Sequence, residues 1–195
     1  ICGIVFIMSF VAYPNYRLHG GIAALIAAGY VGLRQVLKNA VASGSALSEN
    51  FRLARLLVWV NPEKYIDGKG YQTMQGLYAI GSGGLFGRGL GNSIQKLGFV
   101  PEAQNDMIFS IICEELGLVG AGFVLILFLI LIWRFFVIAT HAEDLFGALI
   151  GTGAMAHMMI QVILNISVVT NTIPNTGITL PFISYGGTSV VFLLL

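Results

Sequence analysis

An all-α, polytopic membrane fold follows from three properties of these 195 residues. Hydrophobic side chains make up 56% of the chain and charged ones only 10%, against about 25% charged in a soluble domain. Apolar runs long enough to cross a bilayer recur along it. The polar breaks between those runs are short, except for one long stretch. Water-soluble classes are thereby excluded. Ten basic and nine acidic side chains leave a net charge of +1, which points to no nucleic acid and no acidic partner. Cys2 and Cys113 both lie in apolar runs and read as small buried side chains, with no disulfide implied.

Residues 1–12 read as the end of a first span, followed by the polar break Tyr13-Pro14-Asn15-Tyr16-Arg17. A second span covers 20–38, with Arg34 near one end where its charge can snorkel. Residues 39–106 form a long mixed loop. The third and fourth spans, 107–134 and 145–170, exceed the ~20 residues needed to cross, which predicts tilt. Residues 171–181 form a short loop rich in Pro, Thr and Asn, and a fifth span runs over 182–195. The whole is a single membrane domain. Its two ends lie inside apolar runs, so it reads as a piece of a longer polytopic protein.

The long loop carries basic residues at 52, 55, 64, 69, 88 and 96 and acidic ones at 49, 63, 67, 102 and 106. It is too long for the positive-inside rule to orient it. The short loops on the other side carry Arg17 and Arg134, which places 39–106 and 171–181 on the extracytoplasmic side. Within the long loop, Ser48 can cap a surface helix from Glu49 to Val58 that ends at Asn61-Pro62. A second short helix is expected over 70–80, with Gln72 and Gln75 on one side. The glycine-rich run 81–91 is neither a Walker loop nor a dinucleotide fingerprint. Two readings stand level: a flexible connector, or a backbone lying close to a phosphate-bearing ligand with Arg88 and Lys96 supplying charge.

Asp106 is the most informative residue. It sits where the long loop turns into the third span, at the rim of the hydrocarbon, partly desolvated yet reachable from water. That setting raises a carboxyl pKa and suits a general base. Asp is also a favoured helix N-cap. Below it, Ser110, Cys113, Gly117, Gly120 and Ala121 share one small-residue face. Glu114 and Glu115 follow about 12 Å along the helix, at ~1.5 Å per residue, and read first as a structural hydrogen-bonded pair. In the fourth span Gly153, His157, Gln161 and Asn165 recur every fourth residue. They mark either interhelical hydrogen bonding or the wall of a polar cavity. His157 has no partner at metal-ligand spacing.

Three ordered blocks carry a more specific signal. The first is Asp67-Gly68-Lys69-Gly70-Tyr71-Gln72, with Gln75, Tyr78 and the glycines from Gly81 to Gly91, then Gln95-Lys96. The second is Pro101-Glu102 with Asp106, Ile108-Phe109 and Glu114-Glu115-Leu116-Gly117. The third is Pro174, Thr176-Gly177, Thr179-Leu180-Pro181-Phe182 and Ser184-Tyr185-Gly186-Gly187-Thr188. Together they resemble the SEDS family, the polytopic peptidoglycan polymerases that include RodA, FtsW and SpoVE. The third block is closer to the division and sporulation branch than to the elongation branch.

The resemblance implies a ten-helix fold that polymerises lipid II at the outer face of the bacterial cytoplasmic membrane. It places the catalytic acid on Asp106 and half of the fold in spans with no counterpart here, so these residues alone are not expected to be active. Gln104, Asn105 and Met107 stand where the family has His or Gln, Thr and Phe, which bears on fine positioning. The substrates implied are lipid II and a glycan on undecaprenyl pyrophosphate. The implied substrate-binding residues are Glu102, Arg88, Lys96, Gln72, Gln75, Ser184, Tyr185, Gln161 and Asn165. The resemblance fixes no cofactor; a divalent cation is one further source of positive charge beside Arg88 and Lys96. The implied partner is a class B penicillin-binding protein. Two rival readings are a lipid-precursor transporter, which needs ionisable groups at mid-membrane, and a scaffold without catalysis.

Overall fold

The computed structural model describes residues 2–12, 16–42, 51–66, 68, 70–97, 100 and 103–185. Among the described residues six α-helices follow one another: α1 (Cys2–Ala12), α2 (Tyr16–Ala42), α3 (Phe51–Val60), α4 (Tyr71–Gly83), α5 (Ile108–Thr140) and α6 (Leu145–Val169). Short 3₁₀ turns occupy Pro62–Tyr65 and Gln95–Leu97. Among the described residues, three stretches are long and apolar enough to cross a membrane: His19–Asn39, Ile108–Thr140 and Leu145–Val169. Helix α2 outruns the expected 20–38 at both ends, and α5 continues past 134 because Phe135, Phe136, Val137 and Ile138 prolong the apolar run beyond Arg134. The expected Ser48 cap lies outside the described residues.

Helix α5 packs against α6 on one side and α4 on the other, and α1 packs along α6. Phe109, Cys113, Ala121 and Phe128 of α5 meet Val162 and Val169 of α6 in the core, with Met107 and Leu180 closing its end. Asp144 caps α6, its carboxylate accepting from the Gly147 N–H at 3.2 Å, as a short acidic side chain at that position does.

Helix α4 runs parallel to the start of α5. Gln72 is level with Asp106, Gly76 faces Met107, and Gly83 touches the Cys113 carbonyl. A Cβ at Gly83 would fall on that carbonyl, so only glycine allows the two backbones to come this close. The chain therefore descends beside α5 and turns back at 84–91.

That turn meets a break in α5. Gly117 has φ 69° and ψ −170°, about 16 Å along α5 from Asp106 at ~1.5 Å per residue. The break removes the helical partners of four backbone groups, and segment 84–89 replaces them. The N–H groups of Arg88 and Gly89 each donate at 2.9 Å to the carbonyls of Glu114 and Glu115. Those of Leu118 and Val119 donate to the Gly84 and Leu85 carbonyls at 2.9 and 3.1 Å. Irregular backbone at membrane depth is tolerated only when protein satisfies it in this way. The glycine-rich run is thus neither of the two things expected. It is not a loose connector, and its N–H groups at 87, 88 and 89 are already spent on protein carbonyls.

The two glutamates are structurally hydrogen-bonded, as expected, each to its own partners. Glu114 is fully buried and accepts from Ser93 Oγ at 2.5 Å and from the N–H groups of Ile94 and Gln95 at 3.2 and 3.3 Å, with Arg88 at 3.5 Å. Glu115 pairs with Lys96 at 3.0 Å. Neighbours on a helix point about 100° apart, so each carboxylate fastens a different part of the 88–96 segment to α5.

Trp59 is the hub of the opposite rim. Buried on α3, it donates from Nε1 to the Asn171 and Thr172 carbonyls at 3.1 and 3.0 Å. Its ring carries Tyr30 at 5.7 Å and the Arg34 guanidinium at 5.7 Å, so Arg34 stacks on an indole. Asn171 closes α6 at φ 54°, a conformation Asn tolerates, and donates to the Trp59 carbonyl at 3.3 Å. Trp59→Phe should cost about 1 kcal/mol, the worth of the lost hydrogen bonding. A fall in the melting temperature of the full-length protein would register it, and an unchanged value would remove Trp59 from this role.

Residues 181–185 form tight turns where the fifth span was expected to begin. Phe182 sits at φ 61°, Ile183 N donates to the Pro181 carbonyl at 2.8 Å, and Leu180 N donates to Ser184 Oγ at 2.7 Å. The rest of that expected span lies outside the described residues.

Candidate active site

Asp106 ends the loop and Met107 takes the N-cap position of α5, where no side-chain cap bond forms. The reading of Asp106 as the cap is thus replaced. Its carboxylate instead turns toward α4, where Gln72 Nε2 donates to Oδ1 at 3.3 Å. The other end of the same glutamine accepts from Asn175 Nδ2 at 3.2 Å. Asn175 is itself fixed, because its Oδ1 accepts from the Gly177 N–H at 2.9 Å. Arg55 donates to the Asn175 carbonyl at 3.2 Å. Four elements far apart in sequence thus meet around one half-buried carboxylate.

The backbone under Asp106 is held separately. Asn165 is completely buried in α6, and its Nδ2 donates to the Asp106 carbonyl at 2.9 Å and the Ile178 carbonyl at 2.8 Å. It ties the 103–107 loop to the 171–185 segment. Tyr185 adds a second tie through its N–H to the Gln104 carbonyl at 2.8 Å, leaving its ring 78% exposed. Asn165→Leu, of similar volume, would leave both carbonyls without this donor. It should cost about 1–3 kcal/mol of stability and loosen Asp106. Rate and melting temperature of the full-length protein would both fall; a rate held at the original level would exclude the positioning role.

The structure brings only some of the expected site residues together. Gln72, Asn165 and Tyr185 bond directly to the Asp106 loop. Gln75 is half-buried on α4 and stands outside these bonds. Ser184 is buried and spent on the turn at Leu180. Gln161 lies one turn from Asn165, its Oε1 buried without a hydrogen-bond partner. Arg88 and Lys96 are half exposed and ion-paired with Glu114 and Glu115. Lys96 also lines a cavity of about 420 Å³ with Val100, Ala103, Gln104, Ile108 and Ile111, on another flank of the Asp106 loop. Glu102 lies outside the described residues. Among the described residues no three His, Cys, Asp or Glu side chains converge as metal ligands.

Sequence reasoning missed Arg55 and Asn175. Arg55 read as one charge on a surface helix and Asn175 as a loop residue. Only the Asn-Thr-Gly order at 175–177 carried a signal, as a turn in which Asn bonds its own backbone.

Comparison with known proteins places the chain in a family. The model of the cell cycle protein family of FtsW, RodA and SpoVE matches residues 1–195. Stage V sporulation protein E of Bacillus subtilis (strain 168) is 45% identical over 174 residues, covering 89% of this chain and 46% of that protein. The probable peptidoglycan glycosyltransferase FtsW of the same organism is 48% identical over 143 residues, 73% of this chain and 36% of the relative. A solved chain, described in a study of the structural coordination of polymerization and crosslinking by a peptidoglycan synthase complex, superposes with a TM-score of 0.64 at 27% identity. It covers 98% of this chain and 50% of its own length. The chain thus spans half or less of the proteins it matches. With the family model covering every residue and the ordered blocks around Gln72, Asp106 and Pro181 in place, this chain belongs to the FtsW, RodA and SpoVE family, the SEDS proteins.

Proposed function

We propose that this chain carries the reacting centre of a peptidoglycan glycosyltransferase that polymerises lipid II at the outer face of the cytoplasmic membrane, in cell division or sporulation. The observation that carries this reading is Asp106: a half-buried carboxylate at the head of a membrane helix, aimed by Gln72 and underpinned by Asn165. In the reaction, the 4-hydroxyl of lipid II attacks the anomeric carbon of the growing glycan. Asp106 takes the hydroxyl proton as the new C–O bond forms. The bond from that carbon to the diphosphate breaks, and its electron pair leaves with the undecaprenyl diphosphate. The leaving group is good enough for a single carboxylate to suffice, with inversion; the second carboxylate of a glycosidase is not needed.

Lys96 borders a cavity whose other walls are largely apolar, a mixture that suits a lipid-linked diphosphate. Arg88 acts beside it by holding the 88–96 segment against Glu114. The exposed Tyr185 ring flanks the acceptor's approach. The partner suited to this activity is a class B penicillin-binding protein, which cross-links strands as they form; the solved relative belongs to a complex that couples polymerization to crosslinking.

A transporter would need Glu114 free to change charge at mid-membrane. Glu114 is instead buried under Ser93, Ile94, Gln95 and Arg88, which favours the enzyme. Purified full-length protein given labelled lipid II should yield glycan chains resolvable by gel. Lipid II that stays monomeric, yet crosses the bilayer of a proteoliposome in a manner abolished by Glu114→Gln, would replace the enzyme with a transporter.

A further inference from the structure

The cavity on the Gln72 flank of Asp106 has no role in the scheme so far. It encloses about 210 Å³ between Arg55, Trp59, Gln72, Thr73, Asn171 and Asn175. Among the described residues that line it, Arg55 is the only charged one and none is acidic. The rest of the polar wall is amide and hydroxyl, held in place beforehand. Asn175 is bonded at both ends of its side chain, and Asn171 is locked to Trp59. Such a wall selects an anion. A neutral sugar would want an open aromatic face to stack on. The Trp59 ring instead is buried and carries Arg34 and Tyr30. The planar guanidinium fork matches phosphate oxygens two at a time.

The cavity is one glutamine side chain away from Asp106, because Gln72 both lines it and donates to the carboxylate. That proximity separates the two substrates. A donor's diphosphate sits on the reacting carbon itself, whereas an acceptor's is separated from its attacking hydroxyl by its own sugars. We propose that this cavity is the subsite for the donor's leaving diphosphate, with Arg55 as the cation that receives the departing electron pair's charge. This assignment rests on the glycosyltransferase reading and leaves the Lys96 cavity to the other lipid-linked substrate.

The test is binding to the full-length protein in nanodiscs, without turnover. Undecaprenyl diphosphate bearing no sugar is titrated, with undecaprenol as the phosphate-free control. Arg55→Gln keeps an N–H for the Asn175 carbonyl and removes the charge. It should weaken the diphosphate lipid by roughly ten-fold or more, the loss expected for one charge-assisted contact, and leave undecaprenol unaffected. Asn175→Asp leaves Arg55 in place and adds an anion to the wall, and should weaken the same lipid. Either folded variant binding the diphosphate lipid as tightly as the original overturns the subsite. Competition by inorganic pyrophosphate would assign recognition to the diphosphate alone; Arg55-dependent binding without such competition would assign it to the lipid-linked form. Polymer formation is scored on the same preparations. Arg55-dependent binding without polymer overturns the enzyme reading and keeps the subsite, while polymer with Arg55-independent binding does the reverse.

Discussion

Asp106→Asn should abolish strand synthesis while leaving the protein folded. A positioned base contributes on the order of 100- to 10,000-fold, equivalent to about 3–5 kcal/mol of barrier, and the amide cannot take the acceptor's proton. The fold has little reason to object. Asparagine has the same shape, its Oδ1 can still accept from Gln72, and the backbone carbonyl still meets Asn165. Its melting temperature should therefore move by no more than a surface substitution's ~0.5 kcal/mol. The measurement is the rate of glycan formation from purified lipid II by the full-length variant, beside its thermal unfolding. Gln72→Ala supplies the graded comparison: the base remains but its orienting bond is lost, so the rate should fall less steeply. Polymer made by Asp106→Asn at the original rate would remove the carboxylate from the chemistry.

The parts of this structure that could be read from sequence are those that local pattern encodes. The lengths of α2, α5 and α6 follow from apolar runs that must cross hydrocarbon. Asp106 stood out because a carboxylate at the junction of loop and span is costly there. Asn165 stood out by its spacing along α6, but its bonds run to two loop carbonyls and not to another helix. Other features are properties of juxtaposition. Arg55 and Asn175 are 120 residues apart, and Gln72 and Asn175 are 103 apart. No periodicity relates such positions. Gly117 lies in Leu116-Gly117-Leu118-Val119-Gly120, which reads as uninterrupted apolar helix. What breaks it is a set of carbonyls and N–H groups arriving from residues 84–89. The same distance misled the reading of the glycine-rich run, because its ligand turned out to be the backbone of this chain.

Gly117→Ala is accordingly expected to be among the most damaging apolar substitutions in the molecule. At φ 69° and ψ −170° the backbone occupies a region that is essentially glycine-only and costs other residues about 1–3 kcal/mol. A Cβ there would also fall on the Gly87 N–H and the Leu85 carbonyl, groups of the segment whose bonds seal the break. Losing that seal would leave N–H and carbonyl groups unsatisfied at membrane depth, each at a cost of several kcal/mol. The sum should exceed about 3 kcal/mol and reduce the yield of folded full-length protein. Gly122 is the matched control. It lies a little further along α5, nothing comes within 4 Å of its would-be Cβ, and alanine there should be neutral or stabilising by up to ~1 kcal/mol. Thermal unfolding of the two variants decides the point, and equal melting temperatures would mean that the break in α5 is not what fastens residues 84–89. The consequence reaches function through Lys96 and Arg88. Both ride on the segment that the break secures, so a protein that survives Gly117→Ala should bind its lipid-linked substrate less tightly even with Asp106 intact.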